Sequence, residues 1–262
     1  MKRYDRLHQI LQMVADQGTV DVADITDAMG VSVATVRRDL DHLAEQQLIR
    51  RTRGGAISHD SVSYELPLRY RETRRASEKQ RIGRRAADLV SPGMVIGING
   101  GTTTLEVARA IGERADLFSR NRAEALTLVT NAVNIAYDLA VRPHVKLLLT
   151  GGVVRPETFE LVGPFAEQTV DNLTTDLAFI GADGIDLEFG VTARDEQEAR
   201  VNGAFVDNAR RVAVVVDSTK LGQRGFVKIC KTTQIDVVVT DGEVSPDDVS
   251  SLTQSGIQVL YA

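Results

Sequence analysis

The chain has 262 residues, 43% of them apolar and 26% charged, which is enough for two globular domains with buried cores. No apolar run reaches the ~20 residues of a membrane span. The start, Met1 to Arg6, leads into an amphipathic pattern and not a signal-peptide core, so a cytoplasmic protein without membrane partners is expected. The net charge of −5 does not itself argue for nucleic acid, but it is uneven: residues 1–58 are net neutral, 59–90 carry +3 and the rest −8. Local basic patches can still reach phosphates.

Leu7, Ile10, Leu11 and Val14 recur at helical spacing and predict a first helix over about 3–16. A short β-like stretch, Thr19–Val22, precedes a second helix over 22–29. Gly30 is placed to supply a left-handed turn, and Ser32 to cap a third helix from Val33 to about Gln46. In that helix Val36, Leu40 and Leu43 share one face, while Ser32, Thr35, Arg37, Arg38 and Asp41 crowd the other, toward its N-terminal half. This is the half of a recognition helix that enters the major groove, where guanidinium groups bond guanine edges or clamp phosphates. Residues 48–57 read as two short strands around a turn, a hairpin tipped by Arg51 and Arg53 and suited to the flanking backbone. A three-helix protein-interaction module with a solvated basic face is the alternative reading.

The run Gly30-Val-Ser-Val-Ala-Thr-Val-Arg-Arg-Asp-Leu40, followed by Arg51-Thr-Arg-Gly-Gly-Ala56, resembles the N-terminal signature of the DeoR family of bacterial regulators. It departs at Arg53, where histidine is commoner. The resemblance implies a winged helix-turn-helix over 1–58 that reads double-stranded operator DNA through Ser32, Thr35, Arg37 and Arg38, with Asp39 capping or orienting an arginine.

From His59 to Ala76 the pattern dissolves into Ser, Pro and charge, with Pro67 unable to sit inside a helix, and this stretch is expected to be a linker. Ser77 to Gln80 has capping-box spacing and is expected to open a helix through Ile82, Ala86 and Leu89, with Arg81, Arg84 and Arg85 on a solvated face. Over 77–262, apolar β-rich runs at 95–98, 126–129, 145–149, 177–180, 212–216 and 237–239 alternate with helical stretches such as 102–112, 131–141 and 194–210. Strands apolar on successive residues are buried on both faces, which predicts a mainly parallel sheet in an α/β fold with ligands at the C-terminal strand ends.

Four such ends are polar. Asn99-Gly100-Gly101-Thr102-Thr103-Thr104 lies between a strand and a helix, where small residues admit a ligand and a helix N-terminus favours an anion. It is neither a dinucleotide fingerprint nor a Walker loop. The others are Thr130-Asn131, Thr150-Gly151-Gly152 and Asp217-Ser218-Thr219-Lys220, whose lysine can neutralise phosphate charge.

This region is also similar to the DeoR-family sensor domain, through Gly101–Thr104, Thr130-Asn131, Gly151-Gly152, Leu161–Pro164, Phe179–Asp186 and Asp217–Lys220. That domain resembles ribose-5-phosphate isomerase in fold. The resemblance implies a phosphorylated sugar effector, held by the threonine loop, Asn131 and Lys220, with Asn99, Thr130, Gly151, Gly152 and Asp183 around it. Family members commonly carry aspartate at the position of Asn99.

The rival function is a sugar-phosphate isomerase with an appended DNA-binding domain. Asp183 and Asp186 fall where that enzyme places its carboxylates, and Glu196 and Glu198 are further candidate bases. The enzyme's following lysine has no counterpart between Leu187 and Arg200, so binding without turnover is expected. No metal or cofactor is expected either, since His8, His42, His59 and His144 lack ligand spacing. Cys230, the single cysteine, reads as a buried hydrophobe. Repeated operator half-sites require a homo-oligomer, dimer and tetramer both being open.

Overall fold

The computed structural model describes residues 3–46, 48–57, 68–117 and 126–262; of the expected linker, 59–67 lie outside the described residues, and 68–76 hold a one-turn helix and the start of the next helix instead of an unstructured connection. The chain falls into two compact units, Met1–Arg71 and Glu72–Ala262.

In the first unit α1 (Arg3–Gln17), β1 (Thr19–Asp21), α2 (Val22–Met29) and α3 (Val33–Glu45) precede β2 (Arg50–Arg51), β3 (Gly55–Ile57) and the one-turn α4 (Leu68–Arg71). Gly30 adopts φ 63°, and its N–H caps α2 at Thr26 O, a conformation that a β-carbon would disfavour. Ser32 caps α3, its hydroxyl accepting from Thr35 N–H at 3.2 Å. Leu7, Ile10, Leu11 and Val14 of α1 meet Ile25, Val36, Leu40 and Leu43 in one core. The expected β-like stretch and the expected hairpin join in one sheet: β1 pairs antiparallel with β3, and β3 with β2.

Asp39 does not face outward with the arginines beside it. It is buried, and accepts hydrogen bonds from the Arg6 guanidinium, at 3.2 Å for Nη2. Arg3 approaches to 3.6 Å. One carboxylate thus ties the first helix to the third.

The second unit runs α5 (Ala76–Ala87), β4 (Val95–Ile98), α6 (Thr102–Glu113), β5 (Leu126–Thr130), α7 (Val133–Leu139), β6 (Val145–Leu149), β7 (Val153–Val154), β8 (Leu161–Val162) and α8 (Pro164–Asp171). It continues with β9 (Leu177–Ile180), β10 (Gly184–Asp186), β11 (Gly190–Ala193), α9 (Glu196–Asp207), β12 (Val212–Val215), β13 (Val227–Cys230), β14 (Val237–Thr240), α10 (Pro246–Gln254) and β15 (Gln258–Tyr261). Seven strands form one sheet in the order β15-β14-β12-β9-β4-β5-β6, every adjacent pair parallel. The successive apolar residues divide between its faces as period-2 geometry demands. Leu177 and Phe179 pack with α5, α6 and α7, whereas Ala178 and Ile180 pack with α8, α9 and α10.

Three sequence expectations need correction. No capping box opens α5: the helix begins at Ala76 behind Arg75, whose φ of 51° ends the preceding turn, and the Ser77 hydroxyl donates to Glu78 instead. α7 is shorter than 131–141 because Ala132 bridges to Glu160 and holds Asn131 outside the helix. α9 starts at Glu196, two residues later than expected, because Asp195 caps it with bonds to the N–H groups of Gln197 and Glu198. The solvated face of Arg81, Arg84 and Arg85 and the burial of Cys230 are as expected, and burial pushes the Cys230 thiol up to about 12.

Removing a buried carboxylate leaves its cation uncompensated. Asp39→Ala is therefore expected to destabilise the first unit by about 3–5 kcal/mol, seen in urea unfolding as an earlier loss of that unit. An unchanged midpoint would show that Arg6–Asp39 is not a structural tie.

Candidate nucleic-acid interface and anion site

The outward face of α3 carries the residues expected to read a groove. Arg37 and Arg38 are exposed and Thr35 is half-buried beside Ser32, the two hydroxyls 2.9 Å apart. Ser32 and Thr35 therefore serve the helix start while remaining at the surface. Val33, which the sequence reading passed over, is 44% exposed at the first position of α3, and an apolar group there can meet a thymine methyl. Its spacing continues the apolar stripe of Val36, Leu40 and Leu43, but as the first residue of the helix it stays exposed.

The hairpin divides its arginines. Arg53 sits exposed in the turn between β2 and β3, and Arg50 is exposed on β2. Arg51 is not at the tip. Its guanidinium donates to Gly55 O at 2.9 Å and pairs with Asp41 of α3 at 3.0 Å. It braces the hairpin against α3, so Asp41 is a partner for Arg51 as well as a member of the polar face.

In the second unit the strand order reverses between β4 and β9. β5 and β6 follow β4 on one side, while β12, β14 and β15 follow β9 on the other. Loops leaving such a pair part in opposite directions and open a crevice at their C-terminal ends. Asn99 spans it, its Nδ2 donating to Gly181 O at 3.0 Å and its Oδ1 accepting from Gly181 N–H at 2.8 Å. Its amide is thus committed to the two strand ends.

Beyond it the chain turns into α6, whose N-cap, Gly101, offers no side-chain hydrogen bond. The first-turn N–H groups of Thr102, Thr103 and Thr104 are of the kind that hold an anion. Thr104 is buried, its hydroxyl donating to Gly101 O at 3.1 Å, and Thr103 is nearly so. At the end of β5, Thr130 Oγ1 accepts from Ala132 N–H at 3.0 Å. Asn131 is buried and donates to Glu160 at 3.0 Å and to Leu161 O at 3.3 Å, leaving its Oδ1 without a hydrogen-bond partner among the described residues.

Glu160 is the residue the sequence reading missed. Its buried carboxylate reaches the crevice from the β7–β8 hairpin, and a β-carbon on Gly100 would lie 2.2 Å from its Cγ. Glycine at 100 is what lets Glu160 lie over the loop. A lone acidic residue before Leu-Val-Gly-Pro was the only hint, and it needed knowledge of where the hairpin returns.

On the other side of the crevice lie Asp183, after β9, and Lys220, after β12. Asp183 accepts from Arg194 N–H at 3.1 Å and faces its guanidinium at 3.8 Å. Burial holds the Lys220 ammonium below the usual lysine range; Asp183 and Asp217 oppose this, and Arg194 and Arg74 add to it. The loop holding Lys220 is fixed by Asp217, which accepts from Thr219 N–H at 3.1 Å, and by Asp241, which accepts from Ser218 N–H at 2.9 Å.

Lys220, Asp183, Asn99 to Thr104 and Thr130-Asn131 thus occupy four consecutive strand ends, β12-β9-β4-β5. Gly151 and Gly152 lie one strand further, after the edge strand β6, and line a separate open groove of about 490 Å³ with Phe165 and Gln168. They turn the chain into the hairpin that carries Glu160.

Asp186 is tied away from the strand ends. Arg224, at 2.7 Å, and the N–H groups of Phe189 and Glu188 hold its carboxyl below the usual carboxylate range. Glu198 is likewise engaged, accepting from the Thr158 hydroxyl at 2.6 Å with Arg155 at 3.0 Å.

If Glu160 fills the space above Gly100, Gly100→Ala overpacks it and costs about 1–3 kcal/mol. Glu160→Ala in the same chain is expected to recover most of that loss in a double-mutant cycle of thermal unfolding. Strict additivity would show that the two positions do not touch.

Residues 6–62 match the DeoR-like helix-turn-helix domain, and residues 74–242 the DeoR C-terminal sensor domain. The glycerol-3-phosphate regulon repressor of Escherichia coli strain K12 is 32% identical over 99% of this chain and 99% of its own length. The HTH-type transcriptional regulator GlpR of Haloferax volcanii is 34% identical over 98% of this chain and 96% of its own. Among solved structures, ribose 5-phosphate isomerase A of Methanocaldococcus jannaschii has a TM-score of 0.39 at 21% identity, covering 55% of this chain and 53% of the enzyme. With both domains matched and relatives aligned end to end, the chain belongs to the DeoR family of transcriptional regulators.

Proposed function

We propose that the protein is a repressor of carbohydrate-metabolism genes that holds operator DNA through α3 and the β2–β3 hairpin and releases it on binding a phosphorylated sugar. The observation that carries this reading is the crevice at the β4/β9 switch point. It offers an α6 N-terminus with no side-chain cap, threonine hydroxyls and a half-buried lysine, which are the groups a phosphate ester needs. The name of the Escherichia coli relative, which ties it to glycerol 3-phosphate, supports the same effector class.

At the DNA, Arg37 and Arg38 reach base edges or phosphates, and Arg53 with Arg50 meets the flanking backbone. Arg51 acts through Asp41 as a brace. At the effector, Thr102 to Thr104 and Lys220 take the phosphate, while Asn131 and Asp183 meet hydroxyl groups. Asn99 and Thr130 hold the loops that do so. Operators built from two half-sites call for at least a homodimer.

The site binds without turnover. Proton transfer between sugar carbons needs a free base, and here Asp183 accepts from Arg194 N–H and faces its guanidinium, Asp186 is committed to Arg224, and Glu198 is committed to Thr158 and Arg155. Incubation with ribose 5-phosphate is expected to yield no ketose; measurable conversion would make the chain an isomerase.

Two further measurements test the division of labour. Arg37→Ala and Arg38→Ala are each expected to weaken operator binding by about tenfold and, where the contact is to phosphate, to reduce the salt slope by about 1. Sugar-phosphate affinity is expected to stay unchanged, and a matching loss of it would contradict two separate sites. A bound phosphate ester stabilises the Lys220 ammonium, so binding takes up a proton wherever free Lys220 is partly neutral. Affinity is thus constant below its lowered pKa and falls as pH rises through it, earlier than for an ordinary lysine. Titrations across alkaline pH check this: Lys220→Met should abolish that limb, and a wild-type profile identical to the variant's would remove Lys220 from the site.

A further inference from the structure

Single apolar side chains are ordinary on a protein surface, but in the second unit they gather. Of the eleven large apolar residues exposed among the described residues, eight lie between Val133 and Phe165, on the elements around the edge strand β6. Val133, Tyr137 and Val141 recur at four-residue spacing along α7 and the turn behind it, with Tyr137 80% and Val141 77% exposed. The other side of the same helix buries Ile135 and Leu139 in the core under the sheet. Helices apolar on both sides belong where both sides are covered.

The apolar surface continues past β6. Leu149 ends that strand, and Val153 and Val154 follow on β7, Val153 being 71% exposed. The β7–β8 turn then returns to α7, where Phe159 O accepts the Val133 N–H at 2.9 Å. Phe159 stands at φ 58°, a left-handed conformation that is strained for a bulky residue and that keeps its ring half-exposed beside Val133. Phe165, at the start of α8, is 73% exposed, and a β-carbon on Gly151 would lie 3.4 Å from its own. The start of α7, the hairpin and the start of α8 thus adjoin around one edge of the sheet.

We propose that this surface is where a second copy of the chain docks about a two-fold axis. The inference rests on the reading above that two half-sites are held by a homo-oligomer, and it gives that oligomer its face. Area favours it. At about 200 Å² for a whole aromatic side chain, the three rings present about 400 Å². The five aliphatic side chains add about as much again, which reaches the ~800 Å² per partner of a stable interface and passes the few hundred Å² that monomers expose. Charge favours a copy over an unlike partner. In a two-fold contact each patch meets itself, so an unpaired charge would face its own kind. The one charged residue of α7, Asp138, is already paired with Arg109 of α6 at 2.7 Å. β6 itself exposes Lys146, which opposes the addition of a further strand. The contact is therefore made by side chains of α7, the hairpin and α8, with Tyr137 and Phe165 as its aromatic anchors.

The test is sedimentation velocity of the full chain across micromolar concentrations. Wild type is compared with Tyr137→Glu, Phe165→Glu and Phe226→Glu, the last at an equally exposed ring outside the patch. We expect wild type to sediment as a dimer or a larger oligomer. Tyr137→Glu and Phe165→Glu are each expected to raise the Kd of self-association by about a hundredfold or more, since every contact then receives two charges. Phe226→Glu is expected to change nothing, and circular dichroism matching wild type separates lost assembly from lost fold. A second readout uses the absence of tryptophan from the chain. The emission of Tyr137→Trp is expected to be blue-shifted in the oligomer and to move to the red on dilution or when Phe165→Glu is added. An oligomer indifferent to both patch substitutions would overturn the inference and leave the homo-oligomer reading standing. Equal dissociation by Phe226→Glu would reduce the effect to general charge and overturn it too. Emission that stays blue-shifted in a monomer would show the patch covered by the chain itself, and a monomeric wild type would remove the homo-oligomer reading and the inference together.

Discussion

One side-chain amide closes the top of the crevice in the sensor domain. The crevice exists because strand order reverses between β4 and β9, and strands diverging from a switch point have no loop of their own to hold their ends together. Asn99 supplies that tie, donating to the Gly181 carbonyl and accepting from the Gly181 N–H. A carboxylate accepts only, so aspartate at position 99 would keep the bond from Gly181 N–H and leave the carbonyl unanswered in a buried place. Asn99, expected from the sequence to lie beside an effector, thus spends its amide on fixing the two strand ends.

What the sequence disclosed and what it hid follow from the range of the interactions. The helix-turn-helix was legible because its determinants are local: the Gly30 turn, the Ser32 cap and the apolar stripe of α3 act within a few residues of one another. The parallel sheet was legible because burial on both faces leaves successive apolar residues, as in Leu177–Ile180. Long-range placement was not. Glu160 reaches Asn131 across a hairpin whose return path no local pattern encodes, and Arg51 reads as a hairpin tip until the pairing of β2 with β3 puts it on Asp41. The α5 start misled for a related reason: Ser77 and Gln80 have capping-box spacing, but three distant carboxylates, with Glu78 of the same helix, hold Arg75 in the cap position first.

The two units use charge in opposite ways. On α3 and the hairpin the arginines named as readers stand in water, where a cation keeps its hydration until it exchanges water for phosphate. Such contacts give affinity that falls with salt. In the sensor domain several charged groups are drawn inward and paired. Arg155 joins Asp195 and Glu198, Arg75 joins Asp241, and Arg194 faces Asp183. Paired and partly desolvated groups are already oriented when a ligand arrives, so less of the interaction energy goes into ordering them. Asp39 brings the same device to the DNA reader, setting α1 against α3 without spending an outward-facing arginine.

This arrangement bears on how a small anion can control a large one. A ligand shifts an equilibrium only by its difference in affinity between the two states. An effector touching the β4 and β5 strand ends alone would meet groups fixed by Asn99 and Glu160 in the same core, and would bind both states alike. Differential affinity has to come from a contact whose geometry changes with the state. The start of α5 is where the chain passes from one unit to the other, and ion pairs rather than an apolar seam hold it to the lysine loop. Ion pairs of this kind exchange partners at modest cost when a stronger anion enters. Coupling of 1–3 kcal/mol, the usual range for allosteric proteins, requires no more than the rearrangement of one or two such contacts, and linkage then obliges bound DNA to weaken the effector by the same factor.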